Sequence, residues 1–397
     1  MEEKMHLPKN AQLIISRLRE AGYRADAVGG CVRDFLLGKT PGDYDITTDA
    51  TPDEMRSVFR DFRTLDTGIK HGTLTVMLDS EPYEITTYRL DGEYKDNRHP
   101  DSVSFTRKLS EDLSRRDFTV NAMCYNHLDG ITDLFGGKAD LEAKIIRAVG
   151  DPIRRFTEDA LRIMRALRFA STLDFTIDEK TSEAIFETAH LLKNVSAERI
   201  YVEWKKLIGG NGAYRILSEY SSVIGEVIPE LSGVRLCTES KFTSANGKTR
   251  ELSLFAATYS SSPDMEFLSA MSRLKSDNKH KKYGEAVLHS YKETTDTERA
   301  LSVLLVKVGE EATRGIVDLR IVMGLSDISE AEMLEGLLSR GVCYRISDMK
   351  INGNDIAALG IRGKAIGEVL EKLIFDIAEG RVKNEREALL ERVAKFI

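Results

Sequence analysis

The chain has 397 residues, a net charge of −7, 42% hydrophobic side chains and 30% charged ones. That length suggests two to four domains, and that balance excludes a disordered or fibrous chain. No run approaches eighteen apolar residues and residues 1–8 are polar, so neither a spanning helix nor a signal peptide is expected and a cytoplasmic protein is the simplest reading.

The first expected element is a helix over residues 11–21, with apolar residues at helical spacing and a stop at Gly22. A short strand follows at residues 25–28 and runs into Gly29 and Gly30, then a helix near residues 32–37 that ends at Gly38. Glycines let the backbone approach a ligand, and a helix start presents free N–H groups to an anion. Arg33 lies about one turn into that helix, within reach of the same phosphate. Taken alone, a Gly-Gly before a helix is more often an ordinary tight turn.

Asp43 and Asp45 alter that balance. On an extended segment residues i and i+2 share a face. Two carboxylates side by side repel unless a cation sits between them. Mg²⁺ favours one or two carboxylates plus substrate phosphate oxygens, and two such ions can activate a hydroxyl and stabilise leaving pyrophosphate. Further strands are expected at residues 44–48, 73–78 and 83–88. Glu84 falls within the last, either as a third carboxylate beside the Asp pair or as a solvent-facing strand residue. The polar run 88–100 reads as a loop.

After Ile145 the pattern becomes helical. Residues 158–170 read as one amphipathic helix, with Leu161, Ile163, Met164 and Leu167 on one side and Asp159, Arg162 and Arg165 on the other. Such a charged face is usually just solvated. As a pair three residues apart, however, Asp159 only accepts hydrogen bonds and Arg162 only donates. Cytosine and adenine each place an exocyclic amino donor beside a ring-nitrogen acceptor. The pair therefore suits CTP and ATP together and rejects uracil and guanine. Residues 144–168 hold seven basic and three acidic side chains, a local excess of +4 in an acidic chain and a path for a phosphate backbone. Helices over residues 180–192 and 196–207 follow, then a glycine-punctuated stretch from 349 to 380. The four cysteines are far apart, which argues against a zinc site or disulfide framework.

The Gly-Gly-x-Val-Arg-Asp turn with Asp-x-Asp resembles the nucleotidyltransferase head of the polymerase β superfamily, and most nearly the bacterial class II tRNA nucleotidyltransferases and poly(A) polymerases. Glu111-Asp112-Leu113, Arg115-Arg116-Asp117-Phe118-Thr119-Val120-Asn121-Ala122, Asp133-Leu134-Phe135-Gly136-Gly137 and Glu158-Asp159-Ala160-Leu161-Arg162 fit the same family in order and spacing. The resemblance implies an α+β fold: a head with a small mixed β-sheet over residues 1–143, then a helical neck (144–210), body (211–330) and tail (331–397). It implies addition of CCA to tRNA 3′ ends from CTP and ATP, with Mg²⁺ held by Asp43 and Asp45. Gly30, Arg33 and Arg116 would bind the nucleotide, Asp159 and Arg162 would read its base, and Arg165 and Arg168 would lie close by. Asp117 would take the ribose 2′-OH. Residues 90–100 resemble the family's loop associated with adding the terminal A. A poly(A) polymerase, an enzyme of partial CC or A addition, and an inactive RNA-binding head are the alternatives.

Overall fold

The computed structural model describes residues 5–66, 68–92 and 103–396. The chain divides into two compact units, Met1–Val227 and Ile228–Ile397.

The first unit is built on a seven-stranded mixed sheet. Its strands in chain order are β1 (Ala25–Val28), β2 (Ile46–Thr48), β3 (Arg63–Leu65), β4 (Thr73–Leu78) and β5 (Glu81–Thr87). The pair β6 (Arg89–Asp91) and β7 (Val103–Phe105) forms a separate ribbon, and β8 (Met123–Asn126) and β9 (Gly130–Asp133) complete the main sheet. The order is β3-β4-β5-β2-β1-β8-β9. Within the described residues of this sheet only β2 and β5 run parallel, and every other neighbouring pair in it is antiparallel. β1 therefore sits near the centre, buried at all four positions, because Ala25, Ala27 and Val28 present small or branched apolar groups to both faces.

Among the described residues ten α-helices accompany this sheet: α1 (Lys9–Glu20), α2 (Gly30–Leu36), α3 (Pro52–Val58), α4 (Leu109–Ser114), α5 (Gly137–Glu142), α6 (Pro152–Glu158), α7 (Leu161–Leu173), α8 (Glu179–Thr188), α9 (Ala197–Ile208) and α10 (Ala213–Gly225). The four expected strands and the first two helices fall where hydrophobic spacing places them, within a few residues, whereas β3, β7, β8 and β9 lie outside those expectations. The run 88–100 does not start as a loop, because Arg89–Asp91 pairs with Val103–Phe105 as β6. The expected single helix over 158–170 does not form. α6 stops at Glu158, Asp159 is extended at φ −138° and ψ 102°, and α7 begins at Leu161. The physical reason is local. The Asp159 side chain accepts the Leu161 N–H at 3.2 Å, offering the backbone a turn in place of a continuing helix.

The second unit is helical. Its long helix Glu298–Met323 is interrupted by Gly309 at φ 78° and ψ 172°. Leu301, Leu305, Val317, Leu334 and Leu337 form one buried cluster; Cys343, Met349, Ile351, Ile356, Leu373 and Leu389 belong to another.

Candidate functional site

The turn after β1 is tied to two neighbouring segments. Val28 N–H donates to the Asp45 carbonyl at 2.9 Å, and Gly29 N–H to the Met123 carbonyl at 3.0 Å. Gly29 has φ +80° and ψ −124°, a region that side-chain-bearing residues avoid. Two guanidinium groups stand over this turn. A Cβ added to Gly29 would lie 3.1 Å from Arg116 Nη1, and one added to Gly30 would lie 3.6 Å from Arg33 Nη2. Arg33 donates through Nε and Nη2 to Asp34 Oδ1 at 2.9 and 2.7 Å, and through Nη1 to Asn121 Oδ1 at 2.7 Å. Arg116 is held less completely. Its Nη2 reaches buried Asp112 Oδ2 at 3.4 Å, and its Nε is buried with no partner among the described residues. A buried donor without an acceptor is costly, so this guanidinium is suited to take a ligand oxygen.

The carboxylates lie alongside. Asp43 and Asp45 occupy the segment that enters β2, and both are exposed. In the parallel β2–β5 pair Ile46 stands opposite Ile85, so the preceding positions bring Asp45 beside Glu84. Glu84 is exposed too. Although Asp45 keeps open surface, the protein crowded around it raises its pKa. Desolvation is the largest cause and the Asp43 charge the next; Arg116 pulls the value down and Glu84 adds to the rise. Among the described residues no three His, Cys, Asp or Glu side chains are gathered tightly enough to hold a metal by themselves. The set fits a cation that also takes oxygens from a phosphate ligand and water, not an all-protein cage.

The helical segment differs from its expected solvated face. Arg162 is buried. Its Nη1 donates to the Arg155 carbonyl at 3.2 Å and Glu158 Oε2 at 3.0 Å, and its Nη2 to the Arg115 carbonyl at 3.0 Å. Asp159 is tied to Arg199 of α9, whose Nη2 donates to Oδ1 at 3.4 Å and Oδ2 at 3.1 Å. Arg165 donates through Nε and Nη2 to Asp117 Oδ2 at 2.8 and 2.5 Å, and Arg168 Nε to Glu203 Oε2 at 2.8 Å. Of the seven cations in 144–168, Arg147, Arg154, Arg155, Arg162, Arg165 and Arg168 all have carboxylate partners. The excess of +4 is therefore largely committed to internal ion pairs.

Phe169 joins the two parts. Its ring lies under three guanidinium carbons: Arg33 at 5.1 Å, Arg165 at 5.4 Å and Arg168 at 3.4 Å. Such cation–π contacts hold the arginines side by side despite their charge. Asn121 completes the link, accepting from Arg33 and donating through Nδ2 to Asp117 Oδ1 at 3.2 Å. Asp117 also accepts the Phe118 N–H at 2.9 Å. Burial alone would raise its carboxyl, but the Arg165 charge and the hydrogen bonds from Arg165 and Asn121 win and hold it at about 2. Both Asp117 oxygens are engaged, so a ribose hydroxyl there would have to share or displace a partner.

Against known proteins, residues 25–147 match the poly A polymerase head domain and residues 248–393 match the tRNA nucleotidyltransferase domain 2 family. The CCA-adding enzyme of Ligilactobacillus salivarius is 36% identical over 98% of this chain and 96% of its own length. That of Bacillus cytotoxicus is 37% identical over 96% of each. The chain belongs to the CCA-adding enzyme family. The crystal structure of the Bacillus stearothermophilus CCA-adding enzyme in complex with CTP is 32% identical, with a TM-score of 0.80 over 99% of this chain and 98% of that one. The activity of the family is that of a tRNA nucleotidyltransferase, and the mixed-sheet head followed by helices is its fold.

For a CCA-adding family member, the sequence motifs locate Gly30, Arg33, Asp43, Asp45 and Arg116 in one region and Asp159, Arg162, Arg165 and Arg168 in another of the same unit. Four contributors escape motif reading. Arg199 and Glu203 are an unremarked i, i+4 pair on α9, Phe169 reads as core, and Asn121 lies inside a motif without a stated role. Most of the loop at 90–100 associated with the terminal A, from 93 onward, lies outside the described residues. No helix of the described residues is long and apolar enough to cross a membrane.

Proposed function

We propose that this chain adds C, C and A in turn to tRNA 3′ ends from CTP and ATP, with base choice made by protein side chains. The observation that carries the reading is the pair Arg33 and Arg116 over the Gly29–Gly30 turn, beside Asp43 and Asp45. Arg33 and Arg116 bind the triphosphate and offset the charge that gathers on departing pyrophosphate. The tRNA 3′ hydroxyl oxygen bonds to the α-phosphorus, the bond from that phosphorus to the bridging oxygen breaks, and pyrophosphate leaves.

Asp43 and Asp45 would hold Mg²⁺, with Glu84 as a third carboxylate. When bound, the metal supplies Lewis-acid polarisation of the phosphate and lowers the pKa of the attacking hydroxyl. The crowding of Asp45 by Asp43 and Glu84 supports this fit, because added positive charge there relieves repulsion.

Asp159 accepts from the amino group of C or A, and Arg162 donates to the adjacent ring nitrogen. Arg165 and Arg168 line the nucleotide site with Phe169 behind them. Head, neck, body and tail divide at 143, 210 and 330, with the tail contributing to tRNA binding. Incubation with tRNA lacking its CCA end and single labelled nucleotides tests the whole reading. Extension by two residues with CTP and a third only with ATP supports it. A long A tract without C addition would make the chain a poly(A) polymerase.

A further inference from the structure

We infer that Arg199 is a positioning residue for base selection: it acts through Asp159 and fixes that carboxylate as an acceptor for an amino group. This rests on the proposed role of Asp159. Asp159 lies at the break between α6 and α7, where no helix backbone constrains it. Two contacts orient its side chain. Leu161 N–H occupies Oδ1 from one side, and Arg199 Nη2 bridges both oxygens from another. A free carboxylate rotates and offers either oxygen in many directions. A bridged one offers its remaining lone pairs in few.

The same face of α9 repeats the device one turn later. Glu203, four residues on, receives Arg168 at 2.8 Å with both side chains nearly buried. α9 thus grips two residues expected at the nucleotide, a carboxylate through an arginine and an arginine through a carboxylate. The fold does not saturate Arg199, since its Nη1 is buried without a partner among the described residues. An arginine present only for stability would be expected to have that donor paired.

Arg199 has no direct contact with the base in this scheme, so its effect must vanish when Asp159 is gone. The test is a nucleotide competition on tRNA lacking its CCA end, scored as the ratio of CTP to UTP incorporation. That ratio is independent of the fraction of protein that is folded. Arg199→Ala should lower it by about tenfold, the order of one hydrogen bond to a charged group. Arg199→Lys, which keeps one charged donor, should recover part of the loss. In an Asp159→Ala background the added Arg199→Ala should change the ratio by less than about twofold, because coupled residues are non-additive. If Asp159→Ala itself leaves the ratio unchanged, the base-reading role of Asp159 fails. If Asp159→Ala relaxes selection but Arg199→Ala does not, or if their effects multiply, Arg199 is not the positioning residue.

Discussion

The glycine-turn region and the α6–α9 region handle charge in opposite ways. At the turn, Asp43, Asp45 and Glu84 are exposed and crowd one another, and Arg116 keeps a buried N–H without a partner among the described residues. Around α7, Asp117, Glu158, Asp159 and Glu203 are each already joined to arginine. What separates them is the carboxylates, crowded together in the first region and each paired with arginine in the second, since a buried donor without a partner among the described residues occurs in both, Arg116 Nε and Arg199 Nη1. In the function proposed above, chemistry that must gather a cation and a triphosphate is served by unmet charge. Reading a base needs donors and acceptors fixed beforehand, since a mobile side chain accepts any partner.

The largest expected effect comes from the unmet side. If Asp43 and Asp45 hold the cation as proposed, Asp45→Ala or Asp43→Ala should lower nucleotide transfer by about 10²-fold or more, because the positive charge that stabilises the transition state loses its ligand. Both are exposed, so the melting temperature should stay close to wild type. A paired loss of activity and stability would mean that these carboxylates belong to the network type after all. Steady-state rates with CTP and a melting curve on the same preparation decide it.

Next comes selection. Asp159→Ala should raise UTP and GTP use relative to CTP and ATP by roughly ten- to a hundredfold, the worth of a hydrogen bond to a charged group. Arg162→Ala should lose selection and stability together. It leaves the partly buried Glu158 carboxylate with fewer partners and the Arg115 carbonyl without its Arg162 donor. A four-nucleotide competition together with a melting curve on the same preparation separates the two variants.

The two regions were unequally legible in the sequence. Gly29, Gly30 and Arg33 sit within six residues, and Asp43 and Asp45 are two apart, so motif spacing carries that geometry. That Glu84 lies beside Asp45 could not be read until strand pairing set Ile46 opposite Ile85, which is a long-range fact. On the helical side the residues were found but their state was not. An amphipathic projection assumes one unbroken helix, and the Asp159 turn breaks it. It also assumes that charged residues face water, whereas Arg162 is buried against carbonyls supplied by Arg155 and Arg115. Periodicity within one helix cannot foresee partners forty residues away, as with Arg199 and Asp159.

A stability effect follows from Asp117. Its carboxyl is held at about 2 by Arg165 and Asn121 against the opposing effect of burial. Asp117→Asn should cost about 2–3 kcal/mol at neutral pH, below the range for a fully buried pair because the Arg165 side chain stays 34% exposed. The contribution is complete above the unfolded-chain value of about 3.9. As pH falls toward 2, the unfolded chain takes up a proton that the folded carboxyl refuses, and the contribution is lost. Denaturant midpoints of wild type and variant should therefore converge between about pH 4 and pH 2. Parallel curves through that window would remove Asp117 from the network.

The smallest effect sharpens the comparison within a single carboxylate. Glu158 is shared by Arg154, Arg155 and Arg162, at 3.1, 2.8 and 3.0 Å. The distances barely differ, but Arg154 is 71% exposed whereas Arg155 and Arg162 are 11% and 10% exposed. Water screens the outer pair and leaves the inner two strong. Arg154→Ala should therefore change stability by less than about 0.5 kcal/mol and leave the CTP to UTP ratio untouched. Its charge is the one of the three placed to meet an RNA phosphate. If it does so, the slope of log affinity for tRNA against log salt should fall by about one, with no change in base choice. An unchanged slope would make Arg154 plain surface. A changed base ratio would mean that the selection network extends to solvent, and that burial is not what separates its members.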